Sequence, residues 1–563
     1  ADPAGETVSL GLIRYPADPA AREGAVLLNP GGPGGSGFDY VAQIGTRVDQ
    51  QMNLGRRFDI VGFDPRGVGR SGDLRCLSDE ELDFVYYGDN TPAAGIRHRV
   101  EQSLGDLCRE RLGVMLHLYS TENTARDMDS IRAALGDAQL SYLGVSYGTY
   151  LGGVYATMFP DNLRAMVLDS AFEPAEDSVA DQWVTQPAGF ELAFNRWGAW
   201  CQSDPTCEFT AVDVGARWDA LIDRLATGNV TADDGRTVDH SVMMTATKWA
   251  LYDEISWRIL AGALADAEAG NVEPLLAIAD SSYDRADDGS YASGPEAGII
   301  IRCASGIDRK TPDDPDGLLV QIEQAAPRMA QSFRPEWLDD ECPDWIGSDV
   351  QPIAPLYTGD APILVTGGFN DPATPYRWST ELVARMGPRA RLVSYSGEGH
   401  GHVLTSSCAT FIEGAVLRDL ALPAPNVTCT PDLELQRPLF WDGIPTPAGV
   451  GKPVADPTIN ASLWLRPWLM YADARYLTGD IASVASAYTN EFAALGYQLL
   501  YQRERYPGVL SIEMVAPDGT RVFVELISPD GLRTAERYDI AEEFAPDGAG
   551  IVVVGARAAT ATP

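Results

Sequence analysis

The hydrophobic pattern divides the chain into short apolar runs separated by longer amphipathic stretches. Residues 25–29 (AVLLN), 58–63 (FDIVGF) and 140–145 (LSYLGV) are apolar nearly throughout, and each stops at a loop rich in glycine or proline or at a lone serine. Runs this short predict buried strands rather than helices. Residues 165–168 (AMVL), 363–366 (ILVT) and 391–395 (RLVSY) continue the series. Between them the spacing predicts helices over 124–135, 149–159 and 376–386. Strands alternating with helices predict an α/β fold built on a parallel sheet covered on both faces.

The alternation breaks once. Between Leu168 and Ile363 the chain is rich in Trp, Ala and Asp and carries helical periodicity, as over 249–267. An insertion between consecutive strands of a sheet reads as a helical cap over the strand ends. From about Leu422 the chain turns proline-rich, which reads as wrapping and linker. Beyond it, 481–500 predicts a helix, and 509–515, 521–527 and 532–538 predict strands. Asp518-Gly519 and Asp530-Gly531 are hairpin turn signals between those strands. The expected organisation is a first core part over 1–174, a cap over 175–355, a second core part over 356–450, and a small C-terminal α+β domain over 455–563.

Charge narrows the partners. Asp+Glu number 80 against 42 Lys+Arg, a net charge of −38 in 563 residues. Such a surface repels phosphate backbones, so nucleic-acid binding is excluded. No run approaches the roughly 20 apolar residues of a membrane-spanning helix. Cys76, Cys108, Cys201, Cys207, Cys303, Cys342, Cys408 and Cys429 make an even set without C-x-x-C or zinc-ligand spacing. That pattern predicts disulfides and an oxidising compartment; pairing sequence neighbours gives 76–108, 201–207, 303–342 and 408–429. The chain starts at Ala1 without a signal-peptide pattern, so an exported protein would already have lost it. No metal or cofactor is expected.

Gly144-Val145-Ser146-Tyr147-Gly148 is a G-x-S-x-G motif between an apolar strand and a helix with small residues. In that context the glycines permit a tight strand-to-helix turn that projects a serine hydroxyl from the sheet edge. A serine nucleophile needs a base, and the chain has five histidines. His400, in the glycine-rich segment 397–402 (GEGHGH), is the preferred one, with His402 its competitor. Asp371, after strand 363–366, is the acid that would fix the imidazole tautomer; the alternative is that it caps the following helix. The order Ser, Asp, His suits a nucleophile elbow of this kind. The loop 29–37 (NPGGPGGSG) offers backbone N–H groups for an oxyanion, assigned to Gly32 and Tyr147. It lacks the Lys of a phosphate loop and does not match the dinucleotide spacing.

Together these segments resemble the proline iminopeptidase/tripeptidyl aminopeptidase family of α/β hydrolases, the exported actinobacterial type above all. The matching pieces are NPGGPGGSG at 29–37, FDPRGVGRSG at 63–72, GVSYGTYLG at 144–152, GGFNDPATP at 367–375 and GEGHG at 397–401. The resemblance covers about residues 5–435. It implies an α/β-hydrolase fold with Ser146 as nucleophile, Asp371 and His400 completing the triad, and Gly32 and Tyr147 forming the oxyanion hole. It also implies that Arg66 braces the oxyanion loop. Relatives often carry glycine where this chain has Ser170, after Asp169.

The function expected is an exported serine exopeptidase acting on peptides with a free N-terminus through an acyl-enzyme. An aminopeptidase must hold an α-ammonium group, for which Glu173, Glu176, Asp253 and Glu254 are candidates. A carboxylesterase or lactonase for a neutral small ester is the alternative, its pocket lined by Trp183, Trp197, Trp200, Trp249 and Trp257. A non-catalytic surface binding protein is the third reading. The oligomeric state is open.

Overall fold

The computed structural model describes residues 7–431 except 55–56, 73, 88–103, 174–178, 229, 308–313 and 334–350. Beyond 431 it describes 450–453, 471–477, 480–494, 496–506, 509–515, 521–528 and 550–557. The chain separates into two compact units, Ala1–Pro431 and Asp432–Pro563.

The first unit is built on an eight-stranded sheet. Its strands are β1 (Leu12–Tyr15), β2 (Gly24–Asn29), β3 (Phe58–Phe63), β4 (Leu140–Val145), β5 (Leu163–Asp169), β6 (Ile363–Asn370), β7 (Ala390–Glu398) and β8 (Val427–Cys429). They lie in the order β1-β3-β2-β4-β5-β6-β7-β8. Every residue of β2, β3 and β4 is buried, as a parallel sheet covered on both faces requires. The sheet is mixed rather than purely parallel, because β1 pairs antiparallel with β3. β1 is short, alternates half-buried with exposed positions and sits at the edge, so it lacks the continuous apolar run that marks the inner strands.

Alternate residues of one strand feed the two faces. Val26 and Leu28 pack with Val41 and Val48 of the Gly37–Gln51 helix and Val416 and Leu417 of the Ser407–Asp419 helix. Leu27 and Tyr142 face the other way, against Met128, Leu151 and Leu382 of the Thr121–Ala134, Tyr147–Met158 and Tyr376–Met386 helices. This period-two division fixes the register, since a one-residue slip would exchange the faces.

Between β5 and β6 the described chain is mostly helical and has its own core, centred on Phe190, Phe194, Trp197, Trp218, Met243, Trp257 and Leu260. The helix expected over 249–267 is two helices, His240–Ala250 and Ser256–Glu268. At the break the Asp253 carboxylate accepts hydrogen bonds from N and Oγ of Ser256, the first residue of the second helix. No described helix is long and apolar enough to cross a membrane.

Three disulfides join Cys76 to Cys108, Cys201 to Cys207 and Cys408 to Cys429. Cys303 is also disulfide-bonded, and Cys342 lies outside the described residues.

The second unit is a six-stranded antiparallel sheet with the Ile481–Ala494 helix on it, joined through Val484, Tyr488, Phe492, Ile512, Met514 and Val524. The helix is shorter than the 481–500 expected. Gly496 takes φ +90° and Tyr497 N bonds back to Phe492 O, which ends the helix before the strand Gln498–Tyr506. The strand expected over 532–538 lies outside the described residues.

Candidate active site

The C-terminal ends of β2, β4, β5, β6 and β7 gather the residues singled out above. Ser146 sits between β4 and the Tyr147–Met158 helix with φ 58°, ψ −129°. A non-glycine residue held there costs about 1–3 kcal/mol. Its surroundings enforce the turn: Ser146 N donates to Asp169 O at 2.9 Å, and Ser146 O accepts from Thr149 N and Oγ1. Ser146 is half-exposed while its neighbours on both sides are buried.

His400 and Asp371 are joined. Nδ1 of His400 lies 2.9 and 3.0 Å from the two Asp371 carboxylate oxygens. Asp371 is buried and accepts from Ala373 N, Thr374 N and Thr374 Oγ1. It is not the cap of the next helix, whose N-cap position is Pro375. Burial works to raise the Asp371 carboxyl, and the facing imidazole reverses this, so the carboxyl stays below its ordinary range. Burial likewise works to lower the His400 imidazolium, and the Asp371 charge and hydrogen bond outweigh it, so the pKa rises above 6.5. His400 N donates to Tyr252 O at 2.7 Å, and the Tyr252 ring stands edge-on to the imidazole at 5.5 Å.

His402 is elsewhere. It is fully buried, its ring packs 4.6 Å from Tyr395, and neither ring nitrogen has a hydrogen-bond partner among the described residues. Its backbone is what matters: His402 N and Val403 N both donate to Asp169 Oδ2, and Gly401 N donates to Ser170 Oγ at 2.9 Å. Asp169 therefore holds the serine turn through its carbonyl and the histidine loop through its carboxylate. A Cβ on Gly401 would lie 3.4 Å from Val145 Cγ1, which places the loop beside the residue preceding Ser146. The sequence offered one signal for this clamp, the serine at 170 where relatives often have glycine. Ser170→Ala should lower kcat about tenfold and leave KM within about twofold, the size of one lost hydrogen bond. Steady-state kinetics on a chromogenic ester measure both; a change confined to KM would refute a positioning role.

The glycine loop lies against the serine turn. A Cβ on Gly31, which has φ +92°, would lie 2.4 Å from Val145 O and 2.9 Å from Tyr147 N, so only glycine permits this approach. Gly31 N is occupied by Asn29 Oδ1 at 3.0 Å. Gly32 is exposed, and its N–H has no partner among the described residues. Tyr147 N is the first amide of its helix, where the helix dipole favours negative charge.

Arg66 does not brace this loop. It pairs with Asp127 through Nε and Nη2 and donates to Leu118 O through Nη1, holding the Thr121–Ala134 helix and the turn before it. Asp64 does the bracing: its carboxylate accepts from Ser36 Oγ, Phe38 N and Arg70 N. An arginine read from its motif gave no hint that the aspartate two residues earlier carries the loop.

The ammonium candidates are dispersed. Glu173 is buried, 3.0 Å from Arg385. The Asp253 carboxylate accepts from Ser256 N at the start of the Ser256–Glu268 helix, and Gly399 of the histidine loop adjoins Asp253. Glu254 is exposed, and Glu176 lies outside the described residues. Of the tryptophans, Trp197 and Trp257 belong to the core of the inserted helices, Trp200 packs on Trp257, Trp183 is half-buried, and Trp249 is exposed.

The fold and these contacts define the class: an α/β-fold serine hydrolase. Residues 24–255 match the family described as alpha/beta hydrolase fold, and 330–429 match that described as TAP-like protein. A tripeptidyl aminopeptidase of Streptomyces coelicolor is 32% identical over 427 residues, covering 73% of this chain and 77% of that protein. The serine protease Hip1 of Mycobacterium tuberculosis is 33% identical over 419 residues, 71% of this chain and 79% of that protein. A carboxylesterase B of the same species is 36% identical over 449 residues, 76% and 84% respectively. The chain belongs to the tripeptidyl aminopeptidase family of α/β hydrolases.

Proposed function

We propose that the chain is an exported serine exopeptidase that cuts peptides from a free N-terminus. In this reading His400 takes the Ser146 proton and Ser146 Oγ attacks the scissile carbonyl. Gly32 N and Tyr147 N stabilise the oxyanion, and Asp371 holds the imidazole's tautomer and its charge. The imidazolium then protonates the departing amine, and water, activated by His400, releases the acyl group. The observation that carries this reading is the buried Asp371–His400 pair, tied through Asp169 and Ser170 to the strained turn of Ser146. The disulfides favour an oxidising compartment. Residues 175–355 would cap the site, with 455–563 as an accessory domain. Asp253, adjoining the histidine loop, is the best placed of the ammonium candidates.

The amine requirement is directly measurable. Tripeptidyl arylamides with a free N-terminus should be cleaved at least about tenfold faster, as kcat/KM, than their N-acetylated forms. Equal rates would overturn the aminopeptidase reading. Preference for acetylated substrates and simple esters would support the carboxylesterase reading that the 36% identical relative suggests.

A further inference from the structure

Tyr147 serves the site through its backbone, while its side chain runs away from the cleft into the core. The ring is buried, and its hydroxyl lies 2.5 Å from Oγ1 of Thr121, the first residue of the Thr121–Ala134 helix. Thr121 Oγ1 lies 2.7 Å from Ser305 Oγ, which also accepts from Thr121 N at 2.9 Å and donates to Ile301 O at 2.6 Å. The single Ser305 hydroxyl proton is thus spent on Ile301 O, so Thr121 donates to Ser305 and Tyr147 donates to Thr121. The hydroxyls form a chain with one direction, from Tyr147 through Thr121 and Ser305 to the Ile301 carbonyl, and all of its side chains are buried. In such surroundings each bond of the chain strengthens the next.

Ser305 ends the Gly294–Ala304 helix. That helix belongs to the stretch between β5 and β6 but packs into the sheet's own core, where Ala297, Ile300, Ile301 and Ala304 share a cluster with Tyr147 and Leu151. Its other end meets the glycine loop. A Cβ on Gly298 would overlap Pro33 O, and one on Gly34 would overlap Gly294 O, so helix and loop touch backbone to backbone. Pro33 and Gly34 directly follow Gly32. One helix therefore reaches both amides assigned to the oxyanion: Gly32 N through the loop, and Tyr147 N through the hydroxyl chain. Such donors act by being fixed in place before charge develops. Close-packed backbone at one end and buried hydrogen bonds at the other are constraints of that kind.

We propose that the Gly294–Ala304 helix is the brace that sets the spacing of the oxyanion hole, with Thr121 and Ser305 as positioning residues for Tyr147 N and Gly298 as the positioning residue for Gly32 N. The inference rests on the assignment of those two amides to the oxyanion. It makes the rate of the chemical step, and not the affinity for substrate, depend on hydroxyls buried behind Tyr147.

The test compares the wild-type chain with Thr121→Val, Thr121→Ser and Gly298→Ala. Active sites are first titrated with a fluorophosphonate, so misfolded molecules drop out of the count. Two quantities are then measured per titrated site: kcat and KM on a chromogenic ester, and affinity for a trifluoromethyl ketone, which gains an oxyanion on adding to Ser146. Thr121→Val should lower kcat and ketone affinity in parallel by about ten- to a hundredfold, at or below the roughly 10²–10³ lost when a donor is removed outright, and leave KM within about twofold. Thr121→Ser keeps the hydroxyl and should restore both quantities. Gly298→Ala should lower the same two from the loop side, and it applies the same criteria should Thr121→Val yield no titratable sites. A kcat within about twofold of the wild type overturns the brace. So does a loss confined to KM, one that the ketone does not share, or one that Thr121→Ser leaves unrestored. A wild type that binds the ketone no more tightly than the corresponding alcohol, which cannot form the adduct, overturns the oxyanion-hole assignment and the brace with it.

Discussion

Ser146→Ala should abolish turnover, with kcat reduced on the order of 10⁵–10⁶-fold, as for removal of the nucleophile from a comparable triad. The replacement keeps the Cβ, so the backbone at φ 58° keeps its strain and the hydrogen bonds from Ser146 N to Asp169 O and to Ser146 O from Thr149 persist. The loss should therefore be chemical, with the melting temperature within a few degrees of the wild type. Active-site titration and a thermal melt on the same preparation separate the two. A variant that retains more than about one part in a thousand of kcat would show that another group attacks the substrate, because a vacant oxyanion hole alone supplies only residual catalysis.

Asp371→Asn should lower kcat about 10⁴-fold, the cost of the wrong tautomer when geometry is otherwise preserved. Its second signature lies in the pH profile. The base is useful only when neutral, so kcat/KM falls as pH drops through the His400 pKa. In the wild type that pKa is raised above 6.5 because the Asp371 charge outweighs burial. The amide that replaces the carboxylate would carry no charge and burial would remain, so the acid limb should move below 6.5. Residual activity followed from about pH 5 to 8 would show the displacement. An acid limb that stays in place would mean that another carboxylate faces the imidazole. Asp169, whose charge also reaches His400, is the group to test next.

The strands β3 and β4 and the Tyr376–Met386 helix lie where the apolar pattern puts them, because each is bounded by residues that stop it: glycine, proline or the Ser146 turn. The triad candidates were legible for a related reason. Ser146, Asp371 and His400 each stand just beyond a predicted strand, and in a parallel sheet those ends converge. The sequence preferred His400 to His402, and His400 is the one that meets Asp371, but what holds it there was not legible. His400 and His402 share one glycine-rich loop, and only the bonds from the loop's backbone to Asp169 and Ser170 set its rotation. Those bonds join residues more than two hundred positions apart, and no local pattern announces them.

The same limit explains Arg66 and the 249–267 helix. A motif names residues but not their partners, so Arg66 was assigned to the loop that Asp64 holds. Periodicity runs on through Tyr252-Asp253 without a glycine or proline, yet the chain turns there, with Asp253 holding Ser256 N and the Tyr252 carbonyl under His400 N. In both places a polar side chain binding backbone decides the outcome, and hydrophobic pattern is blind to it.

In the proposed mechanism, the buried imidazole–carboxylate pair makes the hydroxyl at the strained turn nucleophilic. Labelling with a fluorophosphonate, followed by peptide mapping, addresses it directly. One probe per chain should attach to the peptide bearing Ser146, at a rate that falls as pH drops below the His400 pKa and that vanishes in His400→Ala. An unmodified Ser146 peptide, or labelling at another serine with the same pH dependence, would contradict it.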